Sequence, residues 1–328
     1  MNNNMNNIFV LNSPLQYLNA IEAIKYFNLE NNILLLKNSG SDWNKTQIKQ
    51  LHTKFGNLFS STYELEDQKG LIYKLQPKTK QLLPFLNNID IFFSGSIGES
   101  LNQYLMNLLK PGKIIYLDDG TKSLKLIERN NEFIFKNYIK RLLGSYNYFN
   151  NSDVIYFTAY FKNHWPSNYH IIPNEYRFLS SFVEQSFTQD SSCFFLISPI
   201  VESGRIKPEE FKNLINQIIA KYDGNIKFVL HRYSDIDLMT SLINIERENI
   251  LTFDNIIEVE LINKKIYPKK IASFISSALL NLSFIFKDAD LKCFSIPDEY
   301  DAKNDSENLL SYYDLLKSHN IKIEELDC

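Results

Sequence analysis

Short runs of unbroken apolar residues, each followed by a stretch with helical spacing, constrain this chain more than any other feature. Ile8-Phe-Val-Leu11, Asn32-Ile-Leu-Leu-Leu36, Ile89-Asp-Ile-Phe-Phe-Ser94, Lys113-Ile-Ile-Tyr-Leu117 and Val154-Ile-Tyr-Phe-Thr158 are apolar almost throughout rather than at alternate positions. A strand that faces water on one side alternates; one covered on both sides does not. The pattern therefore predicts an α/β protein whose parallel strands are sandwiched between helices.

The order of elements follows from the same spacing. After the first strand, Pro14 opens a helix with apolar positions at Leu15, Leu18, Ile21 and Ile24, which leaves Asn12 and Ser13 on the strand-to-helix turn. Further helices are expected over Trp43–Phe55, Glu99–Leu109 and Glu132–Leu143, and irregular structure around Pro166 and Pro173. A polar stretch from Asn174 to Ser192 marks a junction, which we place between residues 1–185 and 186–328. A second series then begins. Cys193-Phe-Phe-Leu-Ile-Ser-Pro199 is a strand and turn, Pro208–Tyr222 a helix, Asn225-Ile-Lys-Phe-Val-Leu-His231 a strand ending in histidine, and Ile236–Ile243 a helix. Strands are expected at Ile256–Glu260, Lys269–Phe274, Ser283–Phe286 and Leu291–Phe294, with a closing helix over Asp305–Leu316. Two such series imply twin Rossmann-like domains facing one another across a cleft, the last helix packing back on the first domain. No residue-level repeat joins them.

Composition removes several classes of function. A net charge of −3 argues against a nucleic-acid partner, which normally calls for a basic balance or stripe. The three cysteines, Cys193, Cys293 and Cys328, are odd in number and widely spaced, so neither a disulfide framework nor a zinc site is suggested and a reducing cytoplasm is the expected setting. The Asn-rich start, Met1–Asn7, reads as a loose tail rather than a signal peptide. Ile271–Phe286 is the most apolar window but is interrupted by serines and an asparagine, short of what a membrane helix needs. The basic residues Lys136, Lys140 and Arg141 of the expected helix 132–143 read first as a solvated face; a peripheral contact with an anionic membrane is the sharper alternative.

The chemistry concentrates at strand ends. The run from Lys113 stops in Asp118-Asp119-Gly120, two carboxylates and a residue that turns freely, at the edge where open α/β sheets bind ligands. The same three residues also make an ordinary turn. His231 ends a strand and is followed by Arg232, so two donors suited to phosphate stand together. Ser276 and Ser277 precede Ala278-Leu-Leu280 as at a helix cap, where backbone amides and the helix dipole favour an anion. Glycine-rich phosphate loops are missing, Ser94-Gly-Ser-Ile-Gly98 being the nearest approach. Asp235-Ile-Asp237 and Asp288-Ala-Asp290 match a loose metal-diphosphate pattern and read as structural, Asp235 as a helix cap. No metal site is expected.

Taken in order, Asp118-Asp119-Gly120, the strand-end His231 and Ser276-Ser277 resemble the motifs of bacterial sialyltransferases, with glycosyltransferase family 52, the lipooligosaccharide and capsule enzymes, the nearest in pattern. The resemblance extends from the turn Ser13-Pro-Leu-Gln16 to Ser276-Ser-Ala-Leu279 and departs at Arg232, where the family usually carries proline. It implies a GT-B fold and an inverting, metal-independent transfer of sialic acid or a related nonulosonic acid from a CMP-activated donor to a cell-surface glycan or glycolipid, without a cofactor. Asp119 would be the base, Asp118 its neighbour, and His231, Ser276 and Ser277 the donors to the leaving phosphate. By the same resemblance Gly120, Asn12, Ser13, Gln16, Ser198, Pro199 and Arg232 would contact substrates. A homodimer and a place on the inner face of the cell membrane are compatible with it. Two other readings remain open: a GT-B enzyme using another nucleotide sugar, and a non-catalytic glycan-binding subunit.

Overall fold

Strand β1 (Asn6–Leu11) shows why the apolar runs are continuous. Ile8 and Val10 point to one side of their sheet and join a core that includes Leu101, Leu105 and Met106 of α3 (Ser100–Leu109). Phe9 points to the other side, stacked on Phe93 at 4.2 Å and edge-on to Phe59 at 5.7 Å. Both faces are covered, so the run from Ile8 to Leu11 has no position left for a polar residue.

The computed structural model describes residues 5–38, 42–66, 86–120, 123, 153–162, 165–303 and 306–326. The expected helix 132–143, the start of the Asn-rich segment, His164, Cys328 and Thr121 lie outside them. The chain divides into two units, Met1–Asn174 and Glu175–Cys328; the expected junction after residue 185 falls inside the second, ahead of its first strand. Unit 1 contains β1, α1 (Pro14–Tyr26), β2 (Asn32–Asn38), α2 (Asp42–Phe55), β3 (Ser61–Glu66), β4 (Ile89–Ser94), α3, β5 (Lys113–Leu117), β6 (Val154–Thr158) and β7 (His170–Pro173). Its seven strands run in the order β3-β2-β1-β4-β5-β6-β7, every neighbour parallel.

Unit 2 repeats the plan. It holds α4 (Arg177–Ser180), β8 (Thr188–Leu196), α5 (Pro208–Lys221), β9 (Ile226–Val229), α6 (Ile236–Leu242), β10 (Ile250–Leu251), α7 (Ile257–Asn263), β11 (Ile266–Ser273), α8 (Ser277–Ile285), β12 (Asp290–Phe294), α9 (Ser306–Ser318) and β13 (Lys322–Glu324). The order β10-β9-β8-β11-β12-β13 is again wholly parallel. Phe211, Leu214, Ile215 and Ile218 of α5 bury one stripe against Cys193, Phe195 and Ile197, each large side chain contributing about 1.5–3 kcal/mol. In both units the strand order reverses beside the first strand, between β1 and β4 and between β8 and β11. Such points are where doubly wound sheets open a crevice at their carboxyl edge. The fold is therefore α/β and GT-B-like, two Rossmann-like units in one chain.

Several local expectations are corrected. Ile256–Glu260 is not a strand: Ile256 caps α7, a short helix buried at Glu258, Val259, Leu261 and Ile262, so no single apolar stripe gave it away. Ser283–Phe286 is likewise no strand but the end of α8 and its cap, a helix apolar nearly all round. Asn6 and Asn7 belong to β1 rather than a tail, Asn7 donating to the Glu30 carbonyl at 2.8 Å. The region around Pro173 holds β7, an edge strand where a missing amide is tolerated. Among the described residues no helix is long and apolar enough to cross a membrane.

Candidate functional site

In unit 1 the residues singled out from the sequence converge on the carboxyl ends of β1, β4 and β5. Ser13 caps α1: its Oγ accepts the Gln16 amide at 3.2 Å, which commits a lone pair and turns the hydroxyl proton outward, where it is donated to Asp119 Oδ1 at 3.0 Å. Asp119 is half-buried, and its amide donates to Ser123 Oγ at 3.2 Å. Gly120 follows at φ 70°, a left-handed conformation in which a side chain would be strained. The Gln16 side chain lies flat over Gly95; a Cβ there would sit 2.6 Å from it. From that position Gln16 Oε1 accepts the Asn12 amide at 3.1 Å and Nε2 reaches Ser96 Oγ at 3.4 Å.

Asp118 and Asp119 point to different surroundings. Asp118 is 1% exposed, accepting from Thr158 Oγ1 and the Ala159 amide at 2.7 Å each, while its carbonyl takes Asn19 Nδ2 at 3.0 Å. Burial pushes its carboxyl up to about 7 against the hydrogen bonds from Thr158, Ala159 and Ser123, which favour the ion; the charge of Asp119 adds least. Of the pair, Asp119 is the less buried, and Asp118 ties the β5 end to the β6 end.

Sequence reasoning passed over the next shell. Lys37, buried at the end of β2, meets Glu99 Oε2 at 2.5 Å, Glu99 Oε1 takes Asn12 Nδ2 at 3.4 Å, and Asn44 of α2 donates to the Asn12 carbonyl at 3.0 Å. An unbroken series of hydrogen bonds thus runs from Lys37 through Glu99, Asn12, Gln16 and Ser13 to Asp119. A lysine closing an all-leucine run was the signal available in the sequence.

Unit 2 brings a different chemistry to its carboxyl edge. His231 Nδ1 accepts the Tyr233 amide at 3.2 Å, so a neutral ring carries its proton on Nε2 and offers it as a donor. Burial, then the charge of Arg232, lowers its proton affinity to about 4, which keeps the ring neutral at pH 7. Ser276 caps α8 without using its side chain for the cap, and Tyr312 of α9 fixes its backbone, bonded to the amide at 3.0 Å and the carbonyl at 2.9 Å. Both serine hydroxyls of 276 and 277 lack a partner among the described residues. Ser198 differs, because its hydroxyl donates to the Ile275 carbonyl and so ties the β8 turn to the β11 turn; Pro199 accepts the Ser203 amide at 3.0 Å in the same turn. Asp235 caps α6 through Leu238 N at 3.0 Å. Glu258, hidden by the misread of α7, is a buried carboxylate bonded by Asn281 Nδ2 at 2.8 Å, its proton affinity raised by burial and lowered by Asn281 and by Arg232. Unit 1 therefore presents a half-buried carboxylate at Asp119, and unit 2 a neutral imidazole and two serine hydroxyls.

No family model and no curated protein matches the chain. Among solved structures, it is similar to one described as a UDP-N-acetylglucosamine 2-epimerase from Listeria monocytogenes, with a TM-score of 0.53 and 10% identity over 96% of this chain and 90% of that one. It is also similar to S. aureus MnaA in a co-structure with UDP, with a TM-score of 0.51 and 12% identity over 95% and 89% of the two chains. At such identities the likeness is one of fold, and it extends over nearly the whole chain.

Proposed function

We propose that the chain is an inverting glycosyltransferase that moves a sugar of the nonulosonic acid type from a CMP-activated donor to a hydroxyl of a cell-surface glycan. The observation that carries this reading is Asp119, a half-buried carboxylate at the end of β5 held by the proton of a helix-capping serine. In such donors the anomeric carbon is tertiary and bears a carboxylate, so the bond to phosphate breaks early and the acceptor hydroxyl must lose its proton as it attacks. Asp119 takes that proton, a contribution of about 10²–10⁴-fold. The leaving group is a single phosphate, for which His231 Nε2–H and the hydroxyls of Ser276 and Ser277 are the donors; losing one donor of this kind costs about 2.7–4 kcal/mol in the barrier. On this reading the enzyme works beside the inner face of the cell membrane.

A second reading, transfer from a nucleoside diphosphate sugar, is favoured by Arg232 in the place of the family's proline and by the UDP bound to the MnaA neighbour. A donor screen separates the two: CMP-Neu5Ac, CMP-legionaminic acid, CMP-pseudaminic acid and CMP-Kdo are offered with a mixed glycan acceptor, and release of CMP is followed. Turnover of any of them supports the first reading; silence from all four while a UDP-sugar reacts replaces it with the second. A purely glycan-binding subunit would show no turnover with either class and would keep its ligand affinity in Asp119→Ala.

A further inference from the structure

Arg232 is the exception among its kind. Of the described arginines, Arg177 pairs with Glu175 at 2.6 Å, Arg205 with Asp301 at 3.5 Å, and Arg247 donates to the Ile250 carbonyl at 2.7 Å. Arg232 has no hydrogen-bond or ion-pair partner among the described residues, and its Nε is buried without an acceptor. Its guanidinium lies over the Tyr233 ring, 4.9 Å from the centroid, which fixes the plane and leaves the edge donors unspent. A buried N–H without an acceptor is costly, and an arginine on a turn can avoid that cost by swinging into water. The stack on Tyr233 holds it in place, unpaired among the described residues and next in sequence to His231.

Two donor groups of different kind then stand side by side at the end of β9: a neutral imidazole N–H, suited to one oxygen of a phosphate, and a charged fork, suited to a pair of oxygens on a second anionic group. We infer that Arg232 is a specificity-determining residue that binds a second anionic group of the donor, next to the phosphate held by His231, so that the chain discriminates donors carrying two adjacent anions from those carrying one. The inference rests on the nucleotide-sugar reading and goes beyond it. The second anion has two chemical sources, the β-phosphate of a nucleoside diphosphate and the sugar carboxylate of a CMP-nonulosonic acid, and the fork accepts either.

Calorimetric titration of the full chain with CMP, CDP, UMP, UDP and CMP-Neu5Ac tests this, alongside Arg232→Gln and Arg232→Lys, with melting temperatures recorded to confirm folding. The wild type is expected to bind a two-anion ligand at least about tenfold more tightly than its one-anion counterpart, one good charged contact being worth that factor. Arg232→Gln should abolish the difference while leaving CMP and UMP affinities unchanged, and Arg232→Lys should restore part of it. A gain for CDP and UDP identifies a pyrophosphate; a gain for CMP-Neu5Ac alone identifies a carboxylate. If every nucleotide binds equally well whatever its second anion, or if Arg232→Gln weakens all of them alike, the inference is wrong while the nucleotide-sugar reading stands. If no nucleotide binds the wild type, both fall.

Discussion

Ser13 does two jobs with one hydroxyl, and substitutions at this position separate them. Alanine removes both the cap of α1, worth about 1 kcal/mol, and the proton donated to Asp119. Aspartate keeps a cap acceptor but sets a like charge against Asp119, and threonine keeps cap and donor. Turnover is expected to fall by about ten- to a hundredfold in Ser13→Ala and Ser13→Asp, because a reacting group displaced by an ångström loses on that order, and to survive in Ser13→Thr. Melting temperature should fall in Ser13→Ala through the lost cap and in Ser13→Asp through the like charge beside Asp119, and hold in Ser13→Thr. Wild-type turnover in a folded Ser13→Ala variant would assign Ser13 to the helix alone. The sequence placed Ser13 on the strand-to-helix turn from Pro14 and the helical spacing, but not its contact with Asp119, because a bond spanning 106 residues leaves no local pattern.

At the scale of elements, the site depends on how closely two neighbouring strand ends approach. Gly95 closes β4 with no side chain, and the Gln16 amide occupies the space a Cβ would need. Gly95→Ala forces Gln16 away and breaks its bond to the Asn12 amide; we expect about 1–3 kcal/mol of destabilisation by denaturant unfolding, together with reduced turnover. Wild-type stability and activity in that variant would show that Gln16 can relax without consequence. Elements differed in how well the sequence revealed them. The long central strands of both units were legible because two covered faces require an unbroken apolar run. The start of α8 was legible at Ser276-Ser277, but α7 and the end of α8 were misread for the same reason: a helix buried around most of its circumference also has an unbroken run, and Ile257, Val259 and Ile262 are β-branched. The edge strands β10 and β13 span 2 and 3 residues, too few for any period to register. Glu258 was lost with α7, whereas Arg232 was legible as a phosphate-capable donor beside His231 but not its stack on Tyr233.

For the whole molecule, two buried titratable groups work in opposite directions over the same range of pH. Asp118 holds its proton up to about 7 in the folded chain, well above the ordinary carboxylate range, so its contribution to stability is greatest in acid and declines as pH rises from about 4 to 7, by on the order of a few kcal/mol. His231 gives up its proton down to about 4 when folded, so its contribution is full above the ordinary imidazole range and is lost as pH falls through that range toward 4. Denaturant unfolding of the single variants between pH 4 and 8 should show the two slopes apart: Asp118→Asn removes the fall toward neutrality, and His231→Gln removes the rise. Identical slopes in wild type and both variants would contradict the burial assigned to these groups. What the sequence yielded at this scale was the double series of strands and helices. What it withheld was which of two adjacent aspartates faces outward, since that depends on β6 supplying Thr158 and Ala159 to one of them.

The most direct measurement is the turnover of Asp119→Asn with the donor that the screen identifies, its donor affinity being titrated in parallel. The account predicts a loss of about 10²–10⁴ in kcat with donor affinity unchanged, because the amide keeps the shape and cannot take a proton. An asparagine variant that transfers sugar at the wild-type rate would contradict it.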